Sequence, residues 1–142
     1  MRLTDHFTLD ELTHSQTAAR LCLANDPPPD VVQTLIGTAH GLEMVRALLQ
    51  APILISSGYR SPLVNRAVGG SPNSQHITGH AVDFTAPGYG RPADVVRAIV
   101  AHPEIPFDQC ILEFGRWCHI SFTRNPRRQA LVIDHDGARA FA

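Results

Sequence analysis

Apolar residues recur at helical spacing over the first third of the chain. Thr8 suits an N-cap and Glu11 the third helical position, a capping box that predicts a helix from there to about Ala24. Three consecutive prolines then prevent its continuation. Asp30 can cap a second helix that runs to Gln50. The apolar stripe of that helix consists of Val31, Leu35, Leu42, Val45 and Leu49. The two helices are predicted to form a packing layer.

Short apolar runs separated by turn residues predict strands along the remaining two thirds. The predicted strands are 53–56, 81–85, 107–113, 117–123 and 130–133, and the predicted helices between them are 62–68 and 91–101. The run 130–133 is expected at the edge of the sheet, before a turn at 134–136. Helices followed by mostly antiparallel strands predict one α+β domain spanning residues 1–142.

Side chains alternate between two faces along a strand, and the hairpin 107–123 separates its residues cleanly. One face is wholly apolar and should meet the helices: Cys110, Leu112, Cys118, Ile120 and Phe122. The other face carries Gln109, Ile111, Glu113, Trp117, His119 and Ser121. A three-residue connection pairs Glu113 with Trp117, whereas a two-residue connection would mix the faces. The apolar pattern favours the first register, so Glu113 and His119 are predicted to face one cleft.

Composition is ordinary for a globular protein and excludes several partners. Apolar residues make up 44% and the formal net charge is −1, so neither nucleic acid nor an anionic membrane has a basic surface to bind. No stretch approaches the roughly 18 apolar residues of a membrane span, and the first residues lack a signal peptide pattern. We expect a monomer made in the cytoplasm. The three cysteines, Cys22, Cys110 and Cys118, lack CxxC spacing and predict buried thiols rather than disulfides or a nucleophile.

The stretch 74–83 carries the strongest chemical signal. It places His76 and Asp83 seven residues apart, and imidazole and carboxylate are both good zinc ligands. A catalytic zinc needs three protein ligands and an open position, and His119 is the obvious third donor. His80 is predicted to point to the opposite side of its strand. The alternative is that the two histidines make ordinary hydrogen bonds and Asp83 caps a turn.

The string SxHxxGxAxD, followed by a strand histidine, resembles the zinc D-alanyl-D-alanine carboxypeptidases and dipeptidases of the bacterial cell wall, and more closely their short, phage-type branch. The resemblance covers nearly the whole chain. Its segments are 7–12, 57–62 with Asn65, 69–83, 107–109, Glu113 and His119. It implies the hedgehog/DD-peptidase fold, a small, mainly antiparallel sheet backed by helices. It also implies a zinc ion held by His76, Asp83 and His119.

Two further residues are candidates for catalysis. Glu113 faces the predicted metal and could move a proton from the attacking water to the leaving amine. In better-known relatives the acidic residue stands three positions before the last histidine, where this chain has Arg116, so Asp108 is kept as a reserve. Arg60 is expected to stabilise the oxyanion or bind the substrate carboxylate, the alternative being a structural salt bridge.

Ser74 and Tyr59 are predicted to contact the substrate, and Trp117 to form a cleft wall or part of the core. The resemblance implies a zinc-dependent metallopeptidase that acts on the stem peptide of peptidoglycan, either D-Ala-D-Ala carboxypeptidase-like or endolysin-like. The alternative is a non-catalytic zinc-containing module that binds cell wall or a protein. Access to the cell wall would need a delivery route, such as release by a phage.

Overall fold

The chain forms five helices and six strands, and the computed structural model describes all 142 residues. The helices are α1 (Leu9–Thr13), α2 (Gln16–Leu21), α3 (Pro29–Leu49), α4 (Pro62–Ala67) and α5 (Pro92–Val100). The strands are β1 (Leu54–Ser57), β2 (Ala81–Thr85), β3 (Gln109–Glu113), β4 (Trp117–Ser121), β5 (Gln129–Asp134) and β6 (Gly137–Ala140). The predicted α+β class is confirmed. No helix has the length and apolar character needed to span a membrane.

The six strands form one mixed sheet in the order β1-β2-β4-β3-β5-β6. Strand β5 runs parallel to β3, with Gln109 opposite Gln129, so the expectation of a mainly antiparallel sheet is corrected. The parallel pairing arises because β4 ends beside the start of β3, and the chain then passes to the other side of β3 before β5 begins. There, Gln129 N–H donates to the Asp108 carbonyl at 2.8 Å. Strand β6 was not predicted, and it places β5 inside the sheet rather than at its edge.

The first predicted helix is two short helices instead. Thr8 caps α1 with the expected capping box to Glu11, but His14 adopts an extended conformation and ends the helix. Ser15 then caps α2, because its side chain accepts a hydrogen bond from Ala18 N–H. Helix α3 also begins slightly earlier than expected, with Pro29 in its first turn rather than after an Asp30 cap.

The hairpin formed by β3 and β4 has the predicted register. Glu113 lies opposite Trp117 and Ile111 lies opposite His119. Cys110, Cys118 and Ile120 are buried in the apolar core on the opposite face. The expected burial of the thiols is wrong for Cys22, which is exposed at the left-handed end of α2. The hairpin therefore separates an apolar face from a polar face that carries site residues.

The core lies between this apolar sheet face and the helices. All five residues of the α3 stripe are buried, and full burial of each such side chain contributes about 1.5–3 kcal/mol. Val95, Val96 and Ile99 of α5 join the same cluster. Helix α1 approaches the end of β1 so closely that Tyr59 N–H donates to the Leu12 carbonyl at 2.7 Å. This packing fixes the strands whose other face carries the site.

Candidate metal centre

The structure brings the three predicted metal ligands together. His76 lies in the loop between α4 and β2, while Asp83 and His119 face each other across β2 and β4. Nε2 of His76 is 3.3 Å and Nδ1 of His119 is 3.0 Å from Oδ1 of Asp83. One donor atom from each residue lies within 4.8 Å of the others, and all three residues are buried. His80 lies just before β2 rather than on it and is outside this group, and its Nδ1 lies 2.7 Å from Thr78 Oγ1.

A glycine makes the turn between His76 and Asp83 possible. Gly79 has φ +84°, a conformation that residues with a side chain rarely adopt. A Cβ there would also lie 3.0 Å from Val31 Cγ1 in α3. The buried Thr38 hydroxyl donates to the Gly79 carbonyl at 2.7 Å and fixes the turn to the same helix. The spacing of the motif therefore reflects a turn pressed against α3 before β2 starts.

The hydrogen bonds of His76 favour a metal ion at this position. Its Nδ1 lies 2.8 Å from the Gly58 carbonyl, which can only accept, so Nδ1 carries the proton. Burial lowers the pKa of His76 and favours the neutral imidazole. The lone pair of Nε2 then faces a carboxylate oxygen of Asp83 with no hydrogen between them. A cation removes this repulsion, and a backbone carbonyl behind a ligating histidine is a usual support for it.

The charge and spacing of the group fit zinc. Burial would raise the pKa of Asp83, but the hydrogen bond from His119 opposes this, and the pKa stays well below its usual range. Atoms about 2.0–2.2 Å from a shared zinc ion lie roughly 3.3–3.6 Å apart in a tetrahedral site. The two separations from Asp83 Oδ1, 3.3 Å to His76 and 3.0 Å to His119, are close to this range. Two imidazoles and one carboxylate would leave a fourth position on the ion for water or substrate.

Glu113 lies beside this group, on the side of the cleft. Its Oε1 is 3.4 Å from Nδ1 of His119. Burial and the charge of Asp83 raise the pKa of Glu113, while His119, Arg60 and Trp117 oppose that shift. The Trp117 indole N–H faces this carboxylate but makes no hydrogen bond of normal geometry. A carboxyl with a raised pKa next to a metal centre is suited to exchanging protons.

Arg60 reaches the same cleft from the opposite side. Its guanidinium forms no ion pair, and Nη1 donates to Oδ1 of Asn65 at 3.3 Å. Burial lowers the pKa of Arg60, and the charges of Asp83 and Glu113 oppose this effect. The structural salt bridge considered as an alternative is therefore not present. A guanidinium stays charged at neutral pH, so Arg60 adds fixed positive charge to the cleft.

The centre opens into a cleft with a volume of about 990 Å³. Ser74 and Trp117 line it, and Ser74 Oγ also accepts a hydrogen bond from His76 N–H at 3.2 Å. Tyr59 lies instead in the apolar core, where it is 4% exposed, because the strand end turns its ring away from the cleft. Of the two predicted substrate contacts, the cleft therefore contains only Ser74.

Asp108, the reserve base, has a structural position. Its carboxylate accepts two hydrogen bonds from the Arg127 guanidinium, with Nη2 2.6 Å from Oδ2, and one from Gln75 Nε2 at 3.0 Å. Sequence reasoning missed both partners. Gln75 could have been suspected because it precedes His76, but the approach of Arg127 depends on the unexpected parallel pairing of β5. Asp108 holds the cleft wall in place through these contacts.

The sequence of the chain was compared with those of known protein families. A sequence model described as Peptidase M15 matches residues 5–121, a range that includes the three predicted ligands, Glu113 and Arg60. The chain belongs to the Peptidase M15 family. The resemblance found in its motifs is thereby confirmed at the level of the family.

One relative of the chain is the zinc D-Ala-D-Ala carboxypeptidase of Streptomyces albus G. It is 43% identical over 47 residues, which are 33% of this chain and 18% of that protein. The match thus spans less than a fifth of the relative's length. Membership of the M15 family supports a metallopeptidase, and the buried His-Asp-His group provides the ligand set that a zinc enzyme requires.

Proposed function

We propose that this protein is a zinc-dependent metallopeptidase that hydrolyses a peptide bond in the peptidoglycan stem peptide, with D-Ala-D-Ala carboxypeptidase activity as the first specificity to test. The observation that carries this proposal is the convergence of His76, Asp83 and His119 on one buried point, with Glu113 3.4 Å from His119. The substrate class is supported by the name of the Streptomyces relative and by the motifs around Arg60 and His76.

Each residue of the site has a role in this proposal. His76, Asp83 and His119 hold the zinc ion, which supplies Lewis-acid polarisation of the scissile carbonyl and makes the attacking water more acidic. Glu113 accepts the proton of that water as its oxygen bonds to the carbonyl carbon. It then passes the proton to the amide nitrogen as the carbon–nitrogen bond breaks. Arg60 donates hydrogen bonds to the carbonyl oxygen while that oxygen carries negative charge.

The decisive experiment uses zinc-loaded protein with two substrates: a synthetic stem pentapeptide that ends in D-Ala-D-Ala, and purified sacculi. Mass spectrometry of the products identifies the bond that is cut. Free D-Ala from the pentapeptide indicates a carboxypeptidase, whereas two stem fragments from sacculi indicate an endolysin-like endopeptidase. His119→Ala is the matched control and should release neither.

The non-catalytic module is the competing outcome of the same experiment. Protein that retains zinc and sediments with sacculi, yet produces no new amine from either substrate, would contradict the peptidase proposal. The half-buried acid beside the ligand set favours the enzyme, because a module that only binds has no need of a proton acceptor at that position.

A further inference from the structure

We propose that Asn65 is a positioning residue for Arg60, and that Gly70 is required because any side chain there would separate the two. This inference rests on the proposed function, since it concerns how the oxyanion-binding guanidinium is held. Neither Asn65 nor Gly70 forms a hydrogen bond with His76, Asp83 or His119. Their contribution is to the direction in which Arg60 points.

The carboxamide of Asn65 has a fixed orientation. Asn65 is 3% exposed, and its Nδ2 donates to the Ser71 carbonyl at 2.9 Å. A carbonyl can only accept, so the amide nitrogen must face Ser71 and Oδ1 must face the other way. There Oδ1 accepts a hydrogen bond from Nη1 of Arg60 at 3.3 Å. The side chain thus connects the guanidinium to the cleft loop that begins at Gly70.

Arg60 depends on this contact for its orientation. Its backbone N–H donates to the His76 carbonyl at 3.1 Å, which fixes the start of the side chain beside the metal centre. Further out, Asn65 provides the one side-chain hydrogen bond to the guanidinium, and Nε is buried without a partner. A free arginine side chain has about 2 kcal/mol of rotamer entropy to lose on ordering. Asn65 supplies this order before the substrate arrives.

A neutral acceptor is the suitable residue type for this task. An aspartate at position 65 would bind the guanidinium more strongly, but it would also neutralise the charge that the oxyanion requires. It would also lose the donor that now satisfies the Ser71 carbonyl. An asparagine directs Arg60 while leaving its positive charge available to the substrate.

Gly70 gives independent support for the arrangement. Its N–H donates to the Asn65 carbonyl at 2.9 Å, so its backbone lies directly against the pair. A Cβ at this position would be 2.2 Å from Oδ1 of Asn65 and 2.9 Å from Nη1 of Arg60. Both distances are too short for a carbon atom, so an alanine must displace one or both groups. Gly37 offers a control, because a Cβ there meets nothing within 4 Å.

A double-mutant cycle tests the proposal through kcat and KM. Asn65→Ala and Gly70→Ala should each lower kcat about tenfold in the wild-type background, with zinc content unchanged. In the Arg60→Ala background the same changes should have almost no further effect. A purely structural role would lower kcat by the same factor in both backgrounds, and that result would overturn the proposal. Asn65→Asp should not restore kcat, and Gly37→Ala should leave it unchanged.

A second measurement does not require activity. The Nε–H resonance of Arg60 in a ¹⁵N NMR spectrum is assigned by its loss in Arg60→Lys. It should shift and show faster motion in Asn65→Ala and Gly70→Ala, but not in Gly37→Ala. An unchanged resonance would refute the positioning role. If the resonance responds as expected while zinc-loaded wild-type protein cleaves nothing, the peptidase proposal fails and the orienting contact stands.

Discussion

Glu113 and His119 share one face of the β3–β4 hairpin, but the loss of Glu113 should differ in its effect from the loss of a proposed metal ligand. The Glu113 carboxylate is 3.4 Å from His119 and is not one of the three converging donors. Glu113→Gln keeps the shape of the side chain and removes its ability to accept a proton. We expect kcat to fall by a factor of about 10²–10⁴. Zinc content, measured by atomic emission, should stay at the wild-type value. Normal turnover by Glu113→Gln would show that another group moves the proton.

The ion pair between Asp108 and Arg127 should make the folded protein less stable in acid. Hydrogen bonds from Arg127 hold the pKa of Asp108 well below its usual range, although burial opposes this. The unfolded chain binds a proton at Asp108 near pH 4, whereas the folded protein does so only at lower pH. The stabilisation is therefore complete above about pH 4 and is lost as the pH falls below that value.

Asp108→Asn is the variant that measures this contribution. It should lower the free energy of unfolding by about 2 kcal/mol at pH 7, because a buried charge-assisted acceptor is lost. The difference from wild type should shrink as the pH falls below about 4, as measured by urea unfolding. Asp136→Asn, at an exposed position, serves as the control and should show no such convergence. A difference that stays constant with pH would contradict the assigned role of Asp108.

At the scale of single elements, the end of α3 holds a residue in a conformation that does not suit it. Gln50 is exposed and ends the helix with φ 51°, in the left-handed region. This conformation costs an ordinary residue about 1–2 kcal/mol and costs glycine almost nothing. Gln50→Gly should therefore stabilise the protein by about 0.5 kcal/mol after the entropy of glycine in the unfolded chain is subtracted. Thermal unfolding checks this, with Gln50→Ala as the control. A lower midpoint for Gln50→Gly would contradict it.

The elements also show which features can be predicted from sequence. The β3–β4 register follows from alternation within one hairpin, because only one pairing puts Cys118 and Ile120 on the apolar face. The same register places Glu113 and His119 on one polar face, so their proximity can be predicted from the alternation alone. The break at His14 was not predicted, since the capping signal of Ser15 lies inside an apolar pattern that a longer helix would also satisfy. The parallel β5 was missed because it depends on a crossover between distant segments.

On the scale of the whole molecule, the candidate metal centre joins parts of the chain that are far apart in sequence. His76 comes from the loop before β2, Asp83 from β2 and His119 from β4, and the sheet must form before they meet. Tyr59 shows the opposite case: it stands in the sequence motif next to Arg60, yet it lies in the apolar core, and its backbone N–H donates to the Leu12 carbonyl of α1. The chemistry of a residue could be anticipated from its type, but its access to the cleft depended on packing.

Because the three proposed ligands are far apart in the sequence, zinc is expected to stabilise the fold as a whole. The ligands converge only in the folded state, so zinc at about 100 times its dissociation constant should add about 2.7 kcal/mol to the free energy of unfolding. For a chain of this size the thermal midpoint should rise by roughly 5–10 °C. Differential scanning fluorimetry with and without a chelator measures the shift. A Cys22→Ser background avoids zinc binding by the exposed thiol.

Two variants separate metal binding from catalysis in this measurement. Glu113→Gln should keep the full zinc-dependent shift, because it removes no ligand. His119→Ala should abolish it, since two remaining donors cannot hold the ion firmly against a chelator. A wild-type midpoint that does not respond to zinc would mean that the buried lone pair of His76 and the Asp83 carboxylate coexist without a cation. In that case the three side chains would form only a hydrogen-bonded cluster, and the acid beside them would have no metal-activated water to deprotonate.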